Sequence, residues 1–123
     1  MNWKEIDRKY TKSFDLFFIW FRGDSKACIT KREFLEINDI VMMRGNLMGL
    51  YDFFDEQGIY NQITIRPSGK GKFTFKWKIY EDINREAGII HDSVNNFDKR
   101  GEAEEQSFEK SFEIFEQQLN KNK

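Results

Sequence analysis

The chain has 123 residues, with 20 Lys plus Arg against 21 Asp plus Glu and one His, for a net charge of −1. Hydrophobic residues at 39% and aromatics at 16% exclude a disordered chain, which lacks the large side chains whose burial offsets the entropy of ordering. At this length a single domain spanning residues 1–123 is expected, and the one Cys, Cys28, excludes an internal disulfide and suits a reducing compartment. The balance of charge argues against global attraction to nucleic acid or membrane, leaving local patches to carry any such affinity.

The N-terminus, Met1-Asn2-Trp3-Lys4-Glu5, has no basic lead-in, apolar run or small-residue cleavage site, so no secretory signal is read there. The longest apolar run, Leu16 to Phe21, is far shorter than the roughly 20 residues that span a bilayer. A cytoplasmic protein without a membrane partner is the expectation.

Trp3 to Tyr10 mixes charged and apolar residues at helical spacing. Thr11 to Ser13 then offer hydroxyl caps for a second helix with Phe14, Phe17, Phe18 and Phe21 on one face. Leu16, Ile19 and Trp20 fill much of its remaining circumference, so this helix is expected either at the centre of the fold or under a partner, with Trp20 as an apolar anchor. Gly23-Asp24-Ser25 reads as a break, and Thr30 with Glu33 forms a capping-box pattern for a short helix to about Ile37. Asp39 to Arg44 fits no single element. Asn46 caps a helix carrying Leu47, Leu50, Tyr51 and Phe54, which ends near Gln57 with Gly58 as a left-handed cap.

From Ile59 the period becomes two. Ile63 and Ile65 alternate with Gln62, Thr64 and Arg66, Pro67 to Gly71 make a hairpin turn, and the return strand puts Phe73, Phe75, Trp77 and Ile79 opposite Lys72, Thr74, Lys76, Lys78 and Tyr80. A third strand is expected around Ala87 to Val94. The last helix runs from about Glu102 to Leu119, with Phe108, Phe112, Phe115 and Leu119 as the stripe that covers the sheet. The fold class is α+β: N-terminal helices and a long C-terminal helix on one face of a small antiparallel sheet of about three strands.

Charge is segregated within this near-neutral chain. Residues 61–80 carry +5 with no acid, through Arg66, Lys70, Lys72, Lys76 and Lys78, whereas residues 81–123 carry −5. With its Phe and Trp side packed on helices, the hairpin presents those cations beside Tyr60 and Tyr80, a mixture suited to a phosphate backbone and stacked bases. Lysines also serve simply to keep an exposed sheet from aggregating. Lys70 to Phe75 is similar to an RNA-recognition strand, but two helices precede any strand here, which excludes that βαββαβ fold. On the last helix Glu102, Glu105, Glu109, Glu113 and Glu116 make an acidic row, either a solvated face or a surface for a basic protein.

Residues for catalysis are scarce. Cys28 and His91 stand alone as soft ligands, so no zinc site is expected, and the adjacent His91 and Asp92 point to opposite sides of a strand, which weakens an acid–base pair. The clusters Asp52, Asp55, Glu56 and Glu33, Glu36, Asp39 lack the loop of a calcium site, and Gly69-Lys70-Gly71 lacks phosphate-loop spacing. No catalytic residue, metal or cofactor is assigned.

Three segments carry a resemblance: Asn2-Trp3-Lys4-Glu5-Ile6-Asp7-Arg8-Lys9-Tyr10, Leu50-Tyr51-Asp52-Phe53-Phe54-Asp55-Glu56-Gln57-Gly58-Ile59, and Glu102 to Glu105 continuing through Phe108 to Glu116. Together, over roughly a third of the chain, they resemble small uncharacterised proteins of phages and mobile elements in the Bacteroidota. Residues 23–43 depart from that pattern. The resemblance implies a helix leading into a hairpin in the middle and a covering helix at the end, and it brings no catalytic motif. A charge-polarised protein of such origin is similar in kind to anti-CRISPR inhibitors, implying a non-enzymatic protein that binds a host protein such as a CRISPR effector nuclease or its guide-RNA complex. The alternatives are a small RNA- or DNA-binding protein acting through the basic hairpin, and a homodimeric phage structural or accessory protein using the apolar helix.

Overall fold

Helical spacing before Gly58 and alternation after it translate directly into elements. The structure, a computed structural model, describes residues 2–25, 30–36, 49–83 and 86–121. Their order is α1 (Trp3–Lys9), α2 (Thr11–Ser25), α3 (Lys31–Leu35), α4 (Leu50–Glu56), β1 (Ile59–Pro67), β2 (Phe73–Ile83), β3 (Glu86–Asp92) and α5 (Arg100–Lys121). The strands form one antiparallel sheet in the order β1-β2-β3 with α5 packed against it, an α+β fold. By contact density the chain divides into two compact units: Met1–Phe53 with Phe112–Lys123, and Phe54–Ser111. Cys28, the ambiguous stretch at 39–44, and the expected helix starts at Asn46 and Leu47 lie outside the described residues.

In the first unit, the Asn2 side chain caps α1 by accepting the Glu5 N–H at 3.3 Å. The bond from Arg8 holds the Glu5 carboxyl below the usual glutamate range. Hydroxyl capping of the second helix does not occur. Thr11 Oγ1 donates back to the Asp7 carbonyl at 2.7 Å, and Ser13 Oγ donates to the Tyr10 and Phe112 carbonyls. The first N–H groups of α2 go instead to the Glu116 carboxylate, Lys12 N to Oε1 at 3.2 Å and Ser13 N to Oε2 at 2.8 Å. A carboxylate is the stronger acceptor at a helix N-terminus, and hydroxyls inside a helix bond backward to the preceding turn. Nor does Gly23 break the helix: α2 continues to Ser25, since a lone glycine costs only about 1 kcal/mol in a helix.

The aromatic face of α2 is buried in a ring cluster. Trp3 stacks on Phe17 at 5.7 Å between centroids and 11° between planes. Phe17 in turn meets Phe53 and Phe112 edge-on at 5.3 and 5.8 Å. Phe112 and Phe115 serve this cluster, so the stripe read on the last helix is divided between the two units, with Phe108 in the second. The Thr30–Glu33 capping box is present and opens α3, whose Phe34 is buried. Lys31 Nζ lies 2.7 Å from Asp15 Oδ1 and 3.1 Å from Asp7 Oδ1, tying α3 to α1 and α2, and the bond to Asp15 raises its pKa.

In the second unit, Gly58 adopts φ +76° after α4, with the Gln57 and Gly58 N–H groups donating to the Phe54 and Asp55 carbonyls. The β1–β2 ladder is regular from Ile59↔Glu81 to Pro67↔Phe73. Between β2 and β3 the register shifts at Tyr80 to Asp82, and a Cβ on Gly88 would overlap the Glu81 carbonyl there, so the bulge requires glycine. The third strand spans Glu86–Asp92, ending before Ser93 and Val94. Buried Ala103, Ser107 and Ser111 let α5 approach the sheet closely, while Phe108 stacks on Phe54 at 6.2 Å.

Candidate functional site

Alternation along β1 and β2 sorts the sheet into two unlike faces. On the first, Trp77 and Ile79 are buried and the polar atoms answer one another. Trp77 Nε1 donates to Gln106 Oε1 at 2.8 Å, and the Ser107 and Ser111 hydroxyls donate to Asn61 Oδ1 at 2.5 and 2.8 Å. Further along β2, Phe75 exchanges two backbone bonds with Phe97 and lies under the Arg100 guanidinium at 5.9 Å.

This face also holds the unit's histidine. His91 pairs with Ile79, and its Nε2 reaches Glu81 Oε2 at 2.7 Å, with the carboxylate side chain only 10% exposed. Asp92 pairs with Lys78 on the other face, so His91 and Asp92 do diverge. The Glu81 partnership was not read from sequence. Its signal is that Glu81 continues the Phe73-to-Ile79 side, where an acid needs a partner.

The opposite face is open: of its described side chains, none is buried. Cross-strand register arranges it in rows: Tyr60–Tyr80–Ile90, then Gln62–Lys78–Asp92, then Thr64–Lys76, then Arg66–Thr74. Beyond the last row lies the turn, in which Gly69, Lys70 and Gly71 all have positive φ, with Ser68 and Lys72 bonded across it at 2.9 Å. That conformation leaves Lys70 and Lys72 exposed at the tip. Among the described residues, Arg66, Lys70, Lys72, Lys76 and Lys78 make no ion pair with any carboxylate. They are five cations on one surface without an ion pair among the described residues, Asp92 being the one acid that shares a row with them, beside Lys78.

Comparison with family models, curated proteins and solved structures finds no match.

The hairpin residues named from sequence, Arg66, Lys70, Lys72, Lys76, Lys78 and Tyr80, are thus brought onto one surface. Tyr80 is additionally fixed by donating its hydroxyl to Gln62 Oε1 at 3.2 Å. Glu102 is exposed on α5, Glu105, Glu109 and Glu113 are half-exposed and each makes an interaction of its own, and the Glu116 carboxylate accepts two N–H groups at the start of α2. Trp20 is half-buried, its ring 5.6 Å from Phe53 and seated where a Cβ on Gly49 would lie 2.9 Å away. The exposed apolar residues of α2 are instead Leu16 and Ile19, at 41% and 66%.

A shallow groove of about 520 Å³, lined by Lys4, Asp7, Lys31, Arg32, Leu35 and Glu36, offers less. Lys31 is already held by Asp7 and Asp15, and Lys4 by Glu36 at 3.1 Å. Among the described residues there is no group of three metal-ligating side chains, and no helix is long and apolar enough to cross a membrane.

Proposed function

We propose that the protein acts by binding rather than by catalysis, and that the open face of the sheet takes the phosphate backbone of a nucleic acid. The observation that carries this reading is the set of five cations, Arg66, Lys70, Lys72, Lys76 and Lys78, gathered by the hairpin without carboxylate partners among the described residues. Like charges held together repel, and an anionic polymer relieves that repulsion while releasing its own counterions. Tyr60 and Tyr80 add π surfaces on the same face.

Labelled RNA and DNA mixed with the protein at low salt test this. Affinity is expected to fall with salt with a log–log slope of about −3 to −4 if most of the five cations meet phosphates. Replacing Lys72, Lys76 and Lys78 together by Ala should flatten that slope by about 2. No retention of either nucleic acid at low salt would overturn the reading.

A second reading rests on α5. Within its second-unit segment Glu102, Glu105 and Glu109 succeed one another at three- and four-residue steps, an acidic strip suited to a basic protein surface. Combined with the resemblance to proteins of phages and mobile elements, this strip supports an inhibitor that occupies a charged surface of a host defence effector, such as a CRISPR nuclease, in the host cytoplasm. Pull-down of a purified effector with Glu102→Lys, Glu105→Lys and Glu109→Lys combined is the test. Capture by the wild type and not by the variant is expected; capture unaffected by the reversal refutes this reading.

A further inference from the structure

The open face is graded along its length. At one end Tyr60, Tyr80 and Ile90 form a single cross-strand row, Tyr60 and Ile90 being 42% and 53% exposed. Asp82 follows next on β2, and Asp92 stands one row inward on β3; both are exposed. Toward the other end the row positions become cationic, through Lys78, Lys76 and Arg66 to Lys72, and no acid lies between residues 61 and 80. The hydroxyl bond from Tyr80 to Gln62 draws the ring toward the first cationic row and fixes it there.

We infer that this face recognises a single strand: unpaired bases rest on the Tyr60–Tyr80 row, and the sugar–phosphate chain leaves it along β2 toward the hairpin tip. The inference rests on the nucleic-acid reading above and adds to it which form is bound and where. Aromatic rows gain from stacking only when bases are unpaired, whereas a duplex hides their faces. The lysine-bearing strand is also central. At the Lys78 row it is flanked by β1 on one side and β3 on the other, and α5 covers its back. A major groove about 12 Å wide admits a helix or a two-stranded ribbon, so it could take the β1–β2 hairpin beyond Lys78 but not the three-stranded Tyr60–Tyr80–Ile90 and Gln62–Lys78–Asp92 rows, about 10 Å between outer strands before side chains are counted.

Direction follows from charge. Asp82 and Asp92 disfavour phosphates at the tyrosine end, so the backbone is drawn only toward Lys76, Arg66 and Lys72. From Tyr80 to Lys72 the strand measures about 27 Å, in keeping with a site of about four nucleotides, the small end for single-strand binding folds.

Fluorescence polarisation with labelled oligouridine of four and eight nucleotides, and with an RNA duplex of eight base pairs, tests the inference on the full chain. The single strands should bind at least about tenfold more tightly than the duplex. Tyr60→Leu and Tyr80→Leu should each weaken single-strand binding by about tenfold without changing the salt slope, while Tyr60→Phe retains it. Lys76→Ala with Lys78→Ala should instead lower the slope by about 1.4. The Phe variant and unchanged circular dichroism separate lost stacking from lost folding. Equal or tighter duplex binding, or tyrosine variants that bind like the wild type, overturns the single-strand inference and leaves phosphate binding standing. Absence of all binding at low salt overturns both.

Discussion

Replacing Glu116 by Ala removes the group that terminates α2 at its N-terminal end. The Glu116 carboxylate accepts the Ser13 and Lys12 N–H groups at 2.8 and 3.2 Å, and no side chain from the start of α2 does this instead. An N-cap is worth about 1 kcal/mol, and a carboxylate beside a helix N-terminus adds a few tenths to about 1 kcal/mol. Because Glu116 is half-buried, the sum is set at about 1.5 kcal/mol. With a urea dependence of about 1.5–2 kcal/mol/M, the midpoint of unfolding should fall by about 0.8–1 M, and the Tm by about 5 °C. Glu116→Gln, which keeps one oxygen acceptor but no charge, should cost about half as much. Asn120→Ala removes only the exposed bond from Lys12 Nζ and serves as the control, within about 0.5 kcal/mol of wild type. Urea titrations followed by circular dichroism measure all three. An alanine variant within about 0.3 kcal/mol of wild type, or a control that costs as much as Glu116→Ala, would refute the capping argument.

Gly88→Ala should destabilise the protein by about 3 kcal/mol or more, because its Cβ meets the Glu81 carbonyl across the bulge; unchanged amide-exchange protection in β3 would show that the strand accommodates it. Phe17→Ala should cost about 3–5 kcal/mol, since Trp3, Phe53 and Phe112 all pack on that ring, whereas Ile19→Glu, on the exposed side of the same helix, should change stability by less than about 0.5 kcal/mol in thermal melts. Lys31→Ala should cost less than about 1 kcal/mol, as the side chain is 39% exposed and water screens its ion pairs. Its raised pKa means that this contribution is complete at neutral pH and is lost only as pH rises past the ordinary lysine value of 10.5, so the difference from wild type should be equal at pH 6 and pH 9.

What sequence conveyed and what it withheld follow from the range of each interaction. The Thr30 capping box, Gly58, the hairpin turn and the two faces of β2 are set by residues within a few positions of one another, and all appear where their spacing places them. The cap on α2 comes from a carboxylate 104 residues away from Lys12, so local hydroxyls suggested a role that a stronger distant acceptor fills. The Glu81–His91 pair depends on which β3 residue pairs with Ile79, a register between strands that alternation within either strand does not encode. For the candidate interface the cations and tyrosines were legible because a strand's side-chain alternation needs no tertiary information. Ile90 joined their row only through pairing with a third strand of imperfect alternation. The acidic row was legible as composition, but which of its members were already engaged was not. Trp20 likewise reads as surplus until Phe53 and Gly49 are folded against it.

The aromatic cluster of the first unit joins the beginning of the chain to its end: Trp3, Phe17 and Phe53 close on Phe112 and Phe115. During synthesis, the N-terminal rings emerge well before their C-terminal partners. At about 5–20 residues per second, the stretch from Phe53 to Lys121 takes roughly 3–14 s to add, far longer than helix or hairpin formation requires. The N-terminal rings therefore still expose apolar surface while the strands are being made, and α5, which brings Ser107 and Ser111 to the sheet and Phe112 and Phe115 to the rings, comes last. Production of the protein should accordingly depend on chaperone capacity until α5 has been added.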